Sequence, residues 1–93
     1  MAGFPLKGEA TIVFVLYSIH DVMKAEFALK EQGMTYDVIP VPKELSSDCG
    51  MALMVSCDDQ EAVRDIFKRN NLNIKGAFLK TPDGYEEWTD DRD

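Results

Sequence analysis

Positive charge, cysteine, histidine and long apolar runs are all scarce in this chain of 93 residues. Ten Lys and Arg stand against 17 Asp and Glu, a formal net charge of −7. A surface that gathers nucleic-acid phosphates or anionic lipid needs the opposite sign, so both partner classes are excluded. Cys49 and Cys57 are the 2 cysteines and His20 is the 1 histidine. That is too few for a disulfide scaffold, and the spacing is neither that of zinc ligands nor Cys-x-x-Cys. No metal and no other cofactor is expected. An extended strand between the two thiols would hold them roughly 25 Å apart. A disulfide needs alpha carbons within about 7 Å, so both thiols are expected free, which suits the cytoplasm. The longest apolar stretch, Ile12 to Tyr17, falls far short of the ~20 residues that span a bilayer. The opening MAGFPLKGEAT lacks a basic segment followed by an apolar core, so no secretory signal is expected and the location is read as cytoplasmic.

What is present is enough for one core, with 45% of residues hydrophobic. TIVFVLY, residues 11–17, is rich in β-branched and aromatic types on both alternating faces, the pattern of a strand covered on both sides. Ser18 is placed to cap a helix over residues 19–32, with Asp21 in its first turn. Val22, Ala25, Ala28 and Leu29 form the inward stripe, Gly33 ends the helix, and Met23 and Phe27 lie off the stripe. YDVIPVP, residues 36–42, is extended, but Pro40 cannot donate a ladder hydrogen bond and belongs on a sheet edge. MALMVSC, residues 51–57, reads as a central strand. Asp58 and Glu61 have capping-box spacing before a second helix whose buried face is Val63, Ile66 and Phe67. IKGAFLK, residues 74–80, carries two lysines and a glycine and suits a second edge. Thr81-Pro82-Asp83-Gly84 signals a turn, and YEEWTDDRD is either a short return segment or a frayed tail.

The expected order, strand, helix, strand, strand, helix, strand, is the ferredoxin-like βαββαβ arrangement. It is an α+β fold with an antiparallel sheet in the order 4-1-3-2 and two helices on one face. Residues 11–80 would form this domain, with an N-terminal arm at 1–10 and an acidic C-terminal extension at 81–93. The opposite sheet face would stay open, to be covered by a partner subunit, as in a homodimer, or by the Tyr85 to Trp88 segment.

In this topology the loop joining strands two and three returns to the end of the sheet where the first helix begins. Cys49 and Gly50 lie on that loop, near Ser18, Ile19 and His20. Backbone amides at a helix start favour a nearby thiolate, and His20 or Lys43 could assist, whereas Asp48 and the overall negative charge oppose it. Gly50 would let the backbone turn or approach a ligand. An exposed thiol without a resolving partner suits a carrier that holds sulfur or selenium as a persulfide or selenosulfide. The plain alternatives are an idle surface Cys49, a buried and inert Cys57, a first-turn surface His20, and turn roles for Ser46 and Ser47.

Ser18, His20 and Glu26 in the helix, together with PVPKELSSDCG at residues 40–50, resemble the Se/S carrier protein-like family of small bacterial and archaeal domains. The resemblance spans residues 11–80, and its most specific part runs from Pro42 through Glu44, Ser46 and Ser47 to Cys49 and Gly50. It implies a carrier of reactive sulfur or selenium with Cys49 as the atom-bearing residue, Gly50, Ser18, His20, Lys43, Ser46 and Ser47 in support, and donor and acceptor proteins as partners. Lys43 stands where an arginine is more usual, which keeps the charge but loses forked anion recognition. The segment after Gly84 has no counterpart in the family pattern.

Two other functional classes compete. A non-enzymatic regulatory or protein-interaction module would work through the open sheet face and through Met23 and Phe27. A small hydrolase would pair Ser46 or Ser47 with His20, but no nucleophile motif surrounds either serine.

Overall fold

β1 is the strand around which the rest of the molecule is arranged. The computed structural model describes residues 10–43, 45 and 50–88. In chain order these form β1 (Thr11–Leu16), α1 (Ile19–Glu31), β2 (Asp37–Pro40), β3 (Met51–Ser56), a 3-10 turn (Cys57–Asp59), α2 (Gln60–Arg69), β4 (Ile74–Thr81) and β5 (Gly84–Glu87). All six residues of β1 are buried, as its unbroken apolar run demands of a strand with neighbours on both edges and cover on both faces. β3 and β4 flank it, both antiparallel, with Phe14 opposite Leu53 on one side and Ala77 on the other.

The fold is α+β, with an open antiparallel sheet of five strands in the order β2-β3-β1-β4-β5 and two helices. The expected four-stranded sheet in the order 4-1-3-2 is corrected to this one, because the segment after the turn pairs with β4 and takes the edge expected for it. Gly84, at φ 143°, supplies a conformation that side-chain-bearing residues rarely adopt, and Thr81 Oγ1 donates to the Gly84 carbonyl at 3.2 Å. β2 with Pro40 does stand at an edge, paired only with β3. No helix among the described residues is long and apolar enough to cross a membrane.

The alternation of side chains along β1 divides the interior into two layers. Ile12, Phe14 and Leu16 point to the helices, where Val22, Ala25 and Leu29 of α1 and Val63, Ile66 and Phe67 of α2 close over them with Leu53, Val55 and Ala77. Phe14 and Phe67 meet edge to face with ring centroids 5.5 Å apart. Val13 and Val15 point the other way, and the face expected to take its cover from a partner subunit or from the Tyr85 to Trp88 segment is closed within the chain, with Tyr85 among the residues packed on it. Val13 and Val15 are 0% and 1% exposed in the single chain. Leu45, from the segment joining β2 and β3, packs with Val13, Val15 and Ala52, while Ile39, Val41, Met54, Phe78 and Tyr85 surround them. A homodimer that needs this face bare therefore has no bare centre to use.

The start of α2 also differs from the expected capping box. A 3-10 turn precedes the helix proper, and it is this turn that Ser56 caps, its Oγ accepting from the Asp58 amide at 3.2 Å. Asp59 precedes α2 without a side-chain cap bond. Cys57 consequently sits on the turn, half-buried against the helix-side core instead of within a strand, with its amide bonded to the Ala10 carbonyl at 3.0 Å.

Candidate functional site

The candidate site is built at the end of the sheet where β1 stops and β3 starts. Val15 pairs with Ala52, so the ends of the two strands, Leu16 of β1 and Met51 of β3, lie at the same end of the sheet, and Tyr17 and Ser18 on one side and Gly50 on the other leave it there. Val41 completes the approach, its amide donating to the Gly50 carbonyl at 3.1 Å. The start of α1 and the return of the β2–β3 segment thus meet at one sheet end because two antiparallel pairings, β1 with β3 and β2 with β3, share β3.

Ser18 stands at the helix entrance in extended backbone, and its Oγ accepts from the Asp21 amide at 3.1 Å. The hydroxyl is therefore engaged as the α1 N-cap, which satisfies one of the otherwise unpartnered first-turn amides. His20 lies in the first turn of α1 and is exposed, and Lys43 is exposed beyond Pro42. Gly50 is exposed with φ 79°, and a Cβ built there would touch nothing within 4 Å. Its glycine is required by the left-handed backbone and not by crowding. Cys49, Ser46 and Ser47 lie outside the described residues. The structure thus brings Ser18, His20 and Gly50 to one end of the sheet.

Two polar arrangements had no clear signal in the sequence. Tyr36, just ahead of β2 and away from the Gly50 end, donates its hydroxyl to Glu26 Oε2 at 3.0 Å. Burial pushes the phenol pKa up to about 12, and the hydrogen bond and the negative charge of Glu26 act in the same direction. Glu26 is the helix carboxylate that the family resemblance singles out, and here it ties α1 to the start of β2. On the other side of the helical layer, Gln60 Oε1 accepts from Trp88 Nε1 at 2.8 Å and from Arg64 Nε at 3.2 Å. The Arg64 guanidinium lies 5.2 Å from the centroid of the Phe14 ring. The ten-residue and 28-residue separations of the Tyr36–Glu26 and Trp88–Gln60 pairs carry no periodicity that a sequence pattern would show.

Comparison with known proteins adds a family and two relatives. The family described as "Putative Se/S carrier protein-like" matches residues 11–79, from the first residue of β1 nearly to the end of β4. Arabinose 5-phosphate isomerase GutQ of Escherichia coli O6:H1 is 31% identical over 71 residues, which cover 73% of this chain and 22% of that protein. The uncharacterized protein YtiA of Escherichia coli K12 is 29% identical over 52 residues, 56% of this chain and 61% of that one. The chain therefore spans about a fifth of the first relative's length and about three fifths of the second's. No solved structure gives a significant match.

Proposed function

The chain belongs to the Se/S carrier protein-like family, and on that premise we propose that it carries sulfur or selenium on Cys49 in the cytoplasm. The observation that supports the reading most is the convergence of the α1 N-terminus and Gly50 at one end of the sheet, with Cys49 next to Gly50 in sequence. In the loading step the Cys49 thiolate attacks the outer sulfur of a donor persulfide. A sulfur–sulfur bond forms to Cys49, the donor's own sulfur–sulfur bond breaks, and the donor leaves as a thiolate. In the unloading step an acceptor thiolate attacks the same outer sulfur and Cys49 leaves as thiolate. Neither step needs an outside oxidant or reductant, and replacing the outer atom by selenium leaves the balance unchanged. Lys43 would supply positive charge near the attacking thiolate, His20 could assist when protonated, and Gly50 would leave room for the incoming donor. The partners of such a cycle are a sulfur or selenium donor protein and an acceptor protein. A ferredoxin-like description of β4, β1, β3 and β2, with β5 as an addition, belongs to the same proposal.

The competing interaction module was expected to use an open sheet face together with Met23 and Phe27; the burial of Val13 and Val15 removes the centre of the first surface, whereas Met23 and Phe27 are exposed. Selective alkylation separates the readings. With native protein and iodoacetamide at pH 7, the carrier reading expects Cys49 to be modified first and the Cys49→Ser variant to lose the fast phase. Equal or slower modification of Cys49 relative to Cys57 would remove the chemical basis of a carrier.

A further inference from the structure

Among the described residues, β5 pairs with half of β4. The longer strand runs from Ile74 to Thr81, whereas β5 meets it from Phe78 to Thr81. One residue further on, the Trp88 amide donates to the Ala77 carbonyl at 2.7 Å, which carries the same ladder on by a step. The Trp88 indole is fixed as well, its Nε1 donating to Gln60 Oε1 at 2.8 Å. Trp88 is thus held by backbone and side chain, and both bonds aim the chain along β4.

β4 is antiparallel to β1 and to β5, so β5 runs in the direction of β1. A chain leaving Trp88 in that direction travels towards the sheet end where β1 stops and α1 begins. Phe78 pairs with Glu87 and Leu79 with Glu86. Continued without a shift, that register sets Thr89 opposite Gly76, Asp90 opposite Lys75 and Asp91 opposite Ile74. Three residues of strand span about 10 Å, the length of β4 that lies beyond Ala77. Hydrogen-bonded pairs alternate along an antiparallel ladder, so the pair after Trp88 with Ala77 is Asp90 with Lys75. Lys75 is also the extra residue between the Val15–Gly76 and Leu16–Ile74 pairs. Such a bulge re-aims a side chain, and here Lys75 Nζ lies 5.9 Å from the centroid of the Tyr17 ring, beside the start of α1. The charges agree with the register. Asp90 and Asp91 are the first charges after Trp88, and Arg92 and Asp93 beyond them cancel. Opposite charges across a strand pair stabilise it, whereas a second copy of β4 on the same stretch would set lysine against lysine.

We propose that residues 89–91 extend β5 along Ile74–Gly76 as a strap, with Asp90 against Lys75, neutralising this lysine at the sheet end where α1 begins. The extension stands on the register and on the Trp88 anchor. Its effect on chemistry alone rests on the carrier reading, in which an unmasked Lys75 would favour the Cys49 thiolate. The test is a set of nuclear Overhauser and amide-exchange measurements on the full chain. The expected result is an alpha-proton contact between Thr89 and Gly76 and an Asp90 amide that exchanges about tenfold or more slowly than an unstructured one. Asp90→Pro removes the donor and should abolish the contact while leaving the Trp88 indole signal in place. Lys75→Glu sets like charges opposite each other and should speed Asp90 exchange about threefold at low salt, and less at high salt. No Thr89–Gly76 contact, or an Asp90 amide exchanging at the unstructured rate, overturns the strap. So does a dimer in which Gly76 meets a second copy, seen as contacts between differently labelled chains. Iodoacetamide modification of Cys49 in Asp90→Asn/Asp91→Asn should be about twofold faster than in the parent at low salt, and an unchanged rate overturns the effect on the thiol. Persulfide uptake from a small polysulfide is measured on the same proteins. Strap contacts without any uptake sink the carrier reading alone, and uptake without strap contacts sinks the strap alone.

Discussion

Tyr36 and Glu26 form a pair whose protonation is coupled to folding. The phenol pKa lies near 12 in the folded chain, against about 10 when exposed. The folded state thus holds a proton that the unfolded state releases, so the pair's contribution is fully present below pH 10 and declines as pH rises from 10 to 12. Tyr36→Phe should lower stability by about 1 kcal/mol at neutral pH, a modest figure because the hydrogen bond is only partly buried. The same variant should lose part of the decline in urea midpoint above pH 10. Subtracting its tyrosinate absorbance titration from the parent's should leave a step near pH 12, and a step near pH 10 would contradict the burial of this phenol.

The helices and strands differ in how far their roles can be read from sequence. β1 and β3 are legible because an unbroken apolar run must be covered on both faces, and α1 because its buried stripe has helical spacing between Ser18 and Gly33. The cap itself is testable: Ser18→Ala should cost about 1 kcal/mol and Ser18→Asn should restore most of it, measured by urea unfolding. A larger effect on sulfur uptake than on stability would give Ser18 a role beyond the cap. The start of α2 was less legible, since the Asp58 and Glu61 spacing suggests a capping box, whereas Ser56 caps an intervening 3-10 turn and α2 itself begins after Asp59 with no side-chain cap bond. β5 was ambiguous for a related reason. GYEE has weak strand propensity, and it is held by pairing to β4, by the Trp88 amide on the Ala77 carbonyl at 2.7 Å and by Trp88 Nε1 on Gln60, contacts that exist only once the sheet has formed.

At the scale of the whole molecule the consequential element is Leu45. Nothing around it in PVPKELSSDCG marks a core residue, yet it is 9% exposed and joins Val13, Val15 and Ala52 on the face away from the helices. A sequence pattern records which side chains a strand buries but not which distant loop supplies the cover. Leu45→Ala should therefore destabilise the chain by about 2 to 3 kcal/mol, as for a buried leucine, and increase binding of an apolar dye. An unchanged urea midpoint would mean that the sheet face is covered without Leu45. The candidate site was legible to a similar extent: the meeting of Ser18, His20 and Gly50 follows from strand order, whereas the engagement of Ser18 as a cap follows only from its hydrogen bond. Of the two surfaces expected for an interaction module, the sheet face is filled at its centre, whereas Met23 and Phe27 on α1 are exposed.

The measurement that bears most directly on this account is peptide mass spectrometry of the native chain after exposure to a small polysulfide and removal of the excess. A carrier thiol at Cys49 gives one additional sulfur on Cys49, none on Cys57, discharge on addition of a thiol acceptor, and no uptake by Cys49→Ser. Sulfur found on Cys57, or on neither thiol, would contradict it.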